Sequence, residues 1–104
     1  MKSILQEKDG ECYICAMQGK HRKHEYLEEH HVFGGPNRKW SEKFGLKVYL
    51  CRHHHTGDMF GSKDAVHSKG MNDWDLKLKQ IAQVAFEVDH SHEEFMRVFG
   101  KNYL

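Results

Sequence analysis

The sequence predicts one small α+β domain, residues 1–104, that is held together by zinc. Three observations predict it: a length of 104 residues, short β-prone segments interspersed with helical ones, and three cysteines beside ten histidines. A chain of this length forms a single domain, and a core this small gains from a cross-link. Because three cysteines cannot all pair internally, thiolates on a metal ion in a reducing compartment explain them better than disulfides.

Composition and charge exclude several classes of protein. With 38% hydrophobic and 12% aromatic residues, the chain is globular rather than disordered. No apolar run approaches the roughly 20 residues that span a bilayer, and the first residues lack a secretory apolar stretch. We therefore expect a cytoplasmic protein with no membrane partner. The net charge of +1 excludes a histone-like binder, although basic residues concentrate between 37 and 56, where a polyanion could dock.

Two short strands and a turn are predicted in the first half of the chain. The segment YLEEHHV at 26–32 is strand-like and leads into the turn GGPN at 34–37, which contains the only proline. The segment KVYL at 47–50 is rich in β-prone residues and forms the second strand.

Helices are predicted from periodicity, caps and stops. They cover 37–44, stopped by Gly45; Cys51 to about Met59; Asp73 to Val88, capped by Asn72 or Asp73; and Ser91 to about Phe99, with Ser91 and Glu94 as a capping box and Gly100 as the stop. The longest helix carries an apolar stripe that we expect to pack in the core: Trp74, Leu78, Ile81, Ala85 and Val88. The C-terminal third is therefore predicted to be scaffold, and the chemistry to lie in residues 12–67.

Two pairs of potential zinc ligands share the same spacing. Cys12 and Cys15 form a CxxC knuckle, and Cys51 with His54 forms a CxxH pair. Together they make a Cys3His set, which is a standard tetrahedral zinc complement. The segment between the pairs is about twice as long as the roughly 15–20 residues of a simple zinc ribbon, so it carries an insertion.

The insertion contains a histidine pair, His30 and His31. Successive side chains of a strand point to opposite faces, so we expect one histidine to bind a metal and the other to face a substrate water. His55 follows the zinc ligand His54, and neighbours on a helix point about 100° apart. We therefore expect His55 to point back towards the pair. His30, His55 and His67 are the candidate ligands of a second metal ion, which would stabilise a phosphate leaving group.

The order CxxC, HHVFGG, LCxxHH resembles an HNH endonuclease of the His-Me finger (ββα-metal) superfamily, and is most similar to small phage-encoded HNH proteins. The matching stretch is Cys12 to His55. The resemblance implies a ββα-metal core over 12–67 and a C-terminal helical extension over 72–104. It also implies two metal ions, a structural zinc and a separate divalent cation at the active site, which could be Mg²⁺, Mn²⁺, Ni²⁺ or Zn²⁺.

The resemblance also assigns roles to single residues. His31 matches the general base that activates water, while His30 and His55 match ligands of the catalytic ion. Many HNH proteins have Asp at the place of His30, and Cys at that of His54. Leu46 stands near the place of the family's central Asn, which leaves Asn37 as the nearest residue to support the loop of the base.

The function implied is metal-dependent hydrolysis of DNA phosphodiester bonds, on double-stranded DNA in a bacterial host cytoplasm. The residues expected to hold the phosphate backbone are Arg38, Lys39, Lys43 and Arg52. Two alternatives use the same scaffold without catalysis: a zinc module that binds nucleic acid, and a phage-type protein that binds a bacterial host protein. The oligomeric state is left open by the sequence.

Overall fold

The structure, a computed structural model, describes residues 1–57, 65–67 and 73–104. Over these residues it is a small α+β fold with a two-stranded antiparallel sheet and five α-helices, so the predicted α+β class is confirmed. The elements in chain order are α1 (Tyr13–Met17), β1 (Glu28–His31), a 3-10 helix (Gly35–Asn37), α2 (Arg38–Phe44), β2 (Lys47–Leu50), α3 (Arg52–His55), α4 (Asp73–Asp89) and α5 (His92–Phe99).

The sheet is a short hairpin whose two strands are four residues each. Glu28 lies opposite Leu50 and His31 lies opposite Lys47. The strand predicted at 47–50 is confirmed with its bounds, whereas the strand predicted at 26–32 is shorter than expected. Pairing of β1 starts at Glu28 because its partner strand ends at Leu50, where the chain turns into α3.

A buried serine fixes the connection between the two strands. The hydroxyl of Ser41 accepts a hydrogen bond from the Phe33 N–H at 2.9 Å and donates one to the Phe33 carbonyl at 2.8 Å. The backbone N–H of Val32 also donates to the Leu46 carbonyl at 3.0 Å. Because Ser41 lies on α2, these bonds hold α2 against the end of β1.

The helix α2 ends at Gly45, as the sequence predicts. Gly45 takes a left-handed conformation with φ of +70°, and a Cβ there would lie 2.5 Å from the Lys2 carbonyl oxygen. Both the backbone conformation and the close approach of the N-terminal segment therefore require glycine at this position.

The two C-terminal helices, α4 and α5, pack against Phe33, which lies two residues after β1, through a cluster of phenylalanine rings. The ring centroid of Phe33 lies 4.4 Å from that of Phe99 and 5.7 Å from that of Phe95, and Phe86 lies 5.5 Å from Phe95. These rings belong to the same buried core as Val48 and Leu50 of β2 and Cys12 at the start of α1. The helical extension thus shares one core with the rest of the chain.

The bounds of α5 agree with its predicted caps. Ser91 caps the helix by accepting a hydrogen bond from the Glu94 N–H at 3.0 Å, and Gly100 ends it at φ of +78°. The helix predicted from Cys51 to about Met59 is shorter than expected, because α3 ends at His55 and Gly57 follows with φ of +91°. The predicted cap at Asn72 lies outside the described residues. Among the described residues, no helix combines the length and the apolar content needed to cross a membrane.

The predicted apolar stripe of α4 is largely wrong. Of its five residues only Leu78 is fully buried, and Val88 is 76% exposed. The buried face instead carries Asp75, Leu78, Ala82, Gln83 and Phe86. The difference arises because two of these residues are polar but partnered: Asp75 pairs with Lys79, and Gln83 hydrogen-bonds Asn102. A count of apolar residues cannot detect a buried position of this kind.

Candidate metal centres

The four predicted zinc ligands meet at one buried point between α1 and α3. Cys12 caps the N-terminus of α1 and Cys15 lies within it, while Cys51 precedes α3 and His54 lies within that helix. All four residues are buried, and their ligand atoms lie within 4.8 Å of one another. The two pairs that the sequence spacing identified are therefore close enough to hold a metal ion.

The distances within this Cys3His set match tetrahedral zinc. Zn–S bonds of about 2.3 Å and Zn–N bonds of about 2.0–2.1 Å place sulfur about 3.6 Å from nitrogen, and two sulfurs about 3.8 Å apart. In the structure Nδ1 of His54 lies 3.6, 3.4 and 3.4 Å from the sulfurs of Cys12, Cys15 and Cys51. The sulfurs of Cys15 and Cys51 are 3.9 Å apart, far longer than the disulfide bond of about 2.05 Å. The set is consistent with a structural zinc.

Without a metal ion, the protein environment favours the protonated form of two of these thiols, Cys15 and Cys51. Burial, followed by the neighbouring Cys12, raises the pKa of Cys15 to about 12, and burial also raises the pKa of Cys51. A cation that binds here must therefore displace protons, and its charge must replace the hydration that burial has removed. This couples occupancy of the site to folding.

Three histidines from separate elements form a second cluster. His30 lies on β1, His55 lies on α3, and His67 lies in the described segment 65–67. Their ligand atoms also lie within 4.8 Å of one another, and the ring centroids are 4.6 to 5.2 Å apart. The structure thus brings together the three residues that the sequence proposed for a second metal ion.

Backbone and carboxylate contacts hold this three-histidine cluster in place. The N–H groups of Val66 and His67 donate to the carbonyls of His54 and His55 at 2.8 and 3.0 Å. Nδ1 of His55 lies 2.9 Å from a carboxylate oxygen of Glu28, which leaves Nε2 to face Nε2 of His67 at 3.0 Å. A carboxylate behind an imidazole is the usual way of orienting a metal-ligating histidine.

His30 is the most buried member of the three-histidine cluster. Its Nε2 is buried and has no hydrogen-bond partner among the described residues. Burial, followed by His67 and His55, lowers the pKa of His30 to about 3, so the ring is neutral at physiological pH. Buried polar atoms are rarely left unpaired, and a neutral imidazole is the form that binds metals. The three nitrogens therefore fit a metal ion on their own chemistry.

The two adjacent histidines of β1 have different surroundings, as the alternation of a strand requires. Nε2 of His31 lies 3.1 Å from a carboxylate oxygen of Glu42, and its Nδ1 accepts a hydrogen bond from Nε of Arg38 at 3.4 Å. Hydrogen bonds from Lys47, the N-terminal ammonium group and His31 lower the pKa of Glu42 to about 2. Because this carboxylate is ionised and accepts from Nε2–H, the basic lone pair of His31 is on Nδ1.

A cleft of about 460 Å³ borders both histidines of β1. Its lining includes His30, His31 and the glycines Gly34 and Gly35 that follow the strand. It also includes His67 and three residues of the C-terminal part: Asp75, Lys79 and Tyr103. This volume lies within the roughly 300–1,000 Å³ of typical ligand sites. The sequence pattern assigned the C-terminal part to the scaffold, yet it supplies part of this cleft.

The four basic residues predicted to contact phosphate are all exposed: Arg38, Lys39, Lys43 and Arg52. Lys39 and Lys43 lie over the ring of Trp40, with their Nζ atoms 5.0 and 5.6 Å from its centroid. Lys47, which contributes to the basic excess of the sequence, is buried and pairs with Glu42 at 2.8 Å. It is therefore removed from any surface that could bind phosphate.

Some functional contacts were not predicted from the sequence. Glu28, which contacts His55, and Glu42, which contacts His31, belong to no sequence motif. These contacts form only when the two strands, α2 and α3 fold together. Asn37, predicted to support the loop of the base, instead donates its side-chain hydrogen bond to the Phe99 carbonyl at 3.4 Å. In this structure the residues that contact the ring of His31 from α2 are Glu42 and Arg38.

Comparison of the chain with known protein families, with curated proteins and with solved structures gives no match. The described residues contain three groups that could hold a metal ion: the Cys3His set, the three-histidine cluster, and Glu29 with His31 and Glu42. The case for a function depends on the first two and on the cleft between β1 and α4.

Proposed function

We propose that this protein is a metal-dependent endonuclease of the HNH type, which hydrolyses phosphodiester bonds of double-stranded DNA. One observation carries the proposal: two members of the three-histidine cluster, His30 and His67, line the same cleft as the carboxylate-bound His31, and the chain also holds a separate Cys3His set. A zinc module that only binds nucleic acid needs the Cys3His set but not the three-histidine cluster. The proposed ββα-metal core consists of β1, β2 and α3 in that chain order, with the 3-10 helix and α2 inserted between the two strands.

His31 would act as the general base in this reaction. Its Nε2–H is held by the ionised Glu42, so Nδ1 is the nitrogen that accepts a proton from water. Arg38 donates to that same Nδ1 at 3.4 Å. Arg38 is exposed, and a nearby DNA phosphate would give its guanidinium a charged acceptor in place of a neutral ring nitrogen. Binding of the DNA backbone would in this way draw Arg38 away from Nδ1 of His31, which could then accept a proton from the attacking water.

The catalytic ion would be held by His30, His55 and His67. When bound, such an ion stabilises the negative charge that develops on the departing 3′ oxygen. Three imidazole nitrogens suit Zn²⁺ or Ni²⁺ better than Mg²⁺, which prefers oxygen ligands. Among the four cations named by the resemblance, the donor set therefore favours zinc and nickel.

Exposed cations would supply the affinity for the DNA backbone. Lys39 and Lys43 on α2 and Arg52 on α3 project from elements that also carry or contact the two histidine sites. Contacts of this kind bind phosphate without reading sequence, so we expect binding that depends strongly on salt and weakly on base composition.

The proposal is tested by nicking of supercoiled plasmid with Mg²⁺, Mn²⁺, Ni²⁺ and Zn²⁺ in turn. Wild-type protein should nick with at least one of these ions, and His31→Ala should be slower by about 10²–10⁴-fold. The matched control is His53→Ala, an exposed histidine of α3 outside both clusters, which should retain activity.

Three results would contradict the proposal or its assignment of the base. Wild-type protein that carries one zinc per chain and nicks with none of the four ions favours the non-catalytic nucleic-acid module. The same inactivity together with no measurable affinity for DNA favours the protein that binds a bacterial host protein. Equal activity of His31→Ala and wild type would mean that a different group is the base.

A further inference from the structure

The helix α4 presents one lysine to the cleft that holds the three-histidine cluster. Lys79 lines this cleft together with His30, His31 and His67. Its side chain is only 18% exposed, which is unusual for lysine, a residue that is rarely buried unless it is paired. A partly buried cation that faces a candidate metal site requires an explanation other than solubility.

The position of Lys79 is fixed by a carboxylate one helical turn earlier. Nζ of Lys79 lies 2.7 Å from a carboxylate oxygen of Asp75, and the side chain of Asp75 is only 12% exposed. Nζ also lies 6.0 Å from the ring centroid of Tyr103, another residue of the cleft wall. The ammonium group is thereby held at the cleft instead of moving freely in solvent.

The charge of Lys79 acts directly on the three-histidine cluster. Burial, the other two histidines of the cluster and then Lys79 lower the pKa of His30. For His67, burial and His55 lower the pKa, and the Lys79 charge lowers it further, while Asp75 opposes this effect. Lys79 therefore lies within electrostatic range of His30 and His67, and Asp75 within range of His67.

The charges of the cleft favour an anion once a metal ion is bound. Among the described residues that line it, Lys79 and Asp75 are the charged pair, and they cancel each other. A divalent ion on three neutral histidines would leave the cleft with an excess of two positive charges. A phosphodiester carries one negative charge, and a second develops on its oxygens during attack by hydroxide. The cleft is therefore more complementary to the transition state than to the substrate.

We propose that Lys79 is a catalytic residue that contacts a non-bridging oxygen of the scissile phosphodiester, and that Asp75 is its positioning residue. This inference rests on the proposed nuclease function. It extends the active site beyond the segment 12–67 and makes α4 part of the substrate site. If the pair were only an i, i+4 ion pair of the helix, it would contribute a small increment to stability and would have no effect on the reaction.

The first experiment compares Lys79→Ala, Lys79→Arg and a matched control, Lys77→Ala. Lys77 lies on the same helix but is exposed, with its Nζ 5.4 Å from the ring of Trp74. Plasmid nicking by Lys79→Ala should be slower by about 10²–10³-fold, as for the loss of one donor to a developing oxyanion. Lys79→Arg should recover most of that loss, and Lys77→Ala should stay within twofold of wild type.

Metal affinity separates a catalytic role of Lys79 from a structural one. Titration of Zn²⁺ into the second site should show equal or tighter binding in Lys79→Ala, because a neighbouring positive charge has been removed. Weaker metal binding together with a lower melting temperature would mean that Lys79 supports the fold, and would overturn the proposal.

The role of Asp75 is tested by a double-mutant cycle in kcat. Asp75→Asn should slow nicking on its own, but should cause no further loss when Lys79→Ala is already present, because it acts through Lys79. Additive losses would mean that Asp75 has a separate role.

The two proposals can fail separately. If wild type nicks DNA and Lys79→Ala nicks as fast, the Lys79 assignment is wrong and the nuclease function stands. If wild type does not nick, thymidine 3′,5′-bisphosphate is titrated into the zinc-loaded full chain. Binding at least 10-fold weaker in Lys79→Ala than in Lys77→Ala would retain Lys79 as a phosphate contact. Equal binding would overturn it.

Discussion

Removal of the structural zinc should unfold the N-terminal half of this protein. The helices that hold the ligands are five and four residues long, well below the roughly 12–15 residues at which isolated helices become marginally stable. Metal binding in small zinc domains contributes about 10–16 kcal/mol, while whole domains are stable by only about 5–15 kcal/mol. The loss of the ion therefore exceeds what the remaining core can offset.

The sharpest test of this prediction is Cys51→Ser, with His53→Ala as the control. Cys51 is one of the four converging ligands, whereas His53 is an exposed neighbour whose ring lies 4.9 Å from His54. Loss of a group that only hydrogen-bonds a metal ligand weakens metal binding by about 10–100-fold, so loss of a ligand itself should weaken binding by at least about 100-fold, or about 2.7 kcal/mol. For a domain of this size that corresponds to a fall in Tm of roughly 10–20 °C.

The measurement is thermal unfolding by circular dichroism at matched zinc content, with zinc determined by mass spectrometry. His53→Ala should change Tm by only a few degrees, and strong chelation of wild type should abolish the cooperative transition. Unchanged Tm in Cys51→Ser that is verified to be free of zinc would refute the claim that zinc stabilises the fold.

Three further predictions concern the proposed chemistry. His30→Ala should lose both nicking activity and affinity for the second metal ion, so that high concentrations of that ion restore part of the nicking activity. His31→Ala should keep its affinity for the ion, and its nicking rate should not rise when more of the ion is added. Equal loss of metal affinity in both variants, measured by calorimetry, would refute the separation of roles. Glu42→Gln should slow nicking by about 10-fold with unchanged zinc content, because the carboxylate orients the base; unchanged kcat would show that it does not. The double variant Lys39→Ala with Lys43→Ala should weaken binding to all DNA sequences alike and make the slope of log affinity against log salt shallower by roughly 2; a loss confined to one sequence would indicate base readout instead.

The zinc ligands could be predicted from the sequence because their spacing is local. Cys12 with Cys15, and Cys51 with His54, each lie within one turn of chain, so two short patterns defined the whole set. The end of α2 at Gly45 was predictable for a similar reason, since one residue without a Cβ determines it.

The residues that orient the histidines could not be predicted, because their partners are distant in the chain. Glu28 contacts His55 across 27 positions, and Glu42 contacts His31 across 11 positions. Neither acid belongs to a motif, and an isolated glutamate is normally a solvated surface residue. Asp75 and Lys79 were missed because the apolar periodicity of α4 was taken to define its buried face.

The buried hydroxyl of Ser41 has a consequence for how this protein tolerates change. Its two hydrogen bonds fix the backbone of Phe33, two residues after His31, and thereby determine which histidine of the pair points into the three-histidine cluster. A slip of the hairpin by one residue would exchange the two faces of β1, presenting His31 or Glu29 where His30 now lies. A substitution at Ser41, far along the chain from every ligand, could therefore silence the site while each ligand remained in the sequence. A survey of divergent copies that scored only cysteines and histidines would count such a protein as intact.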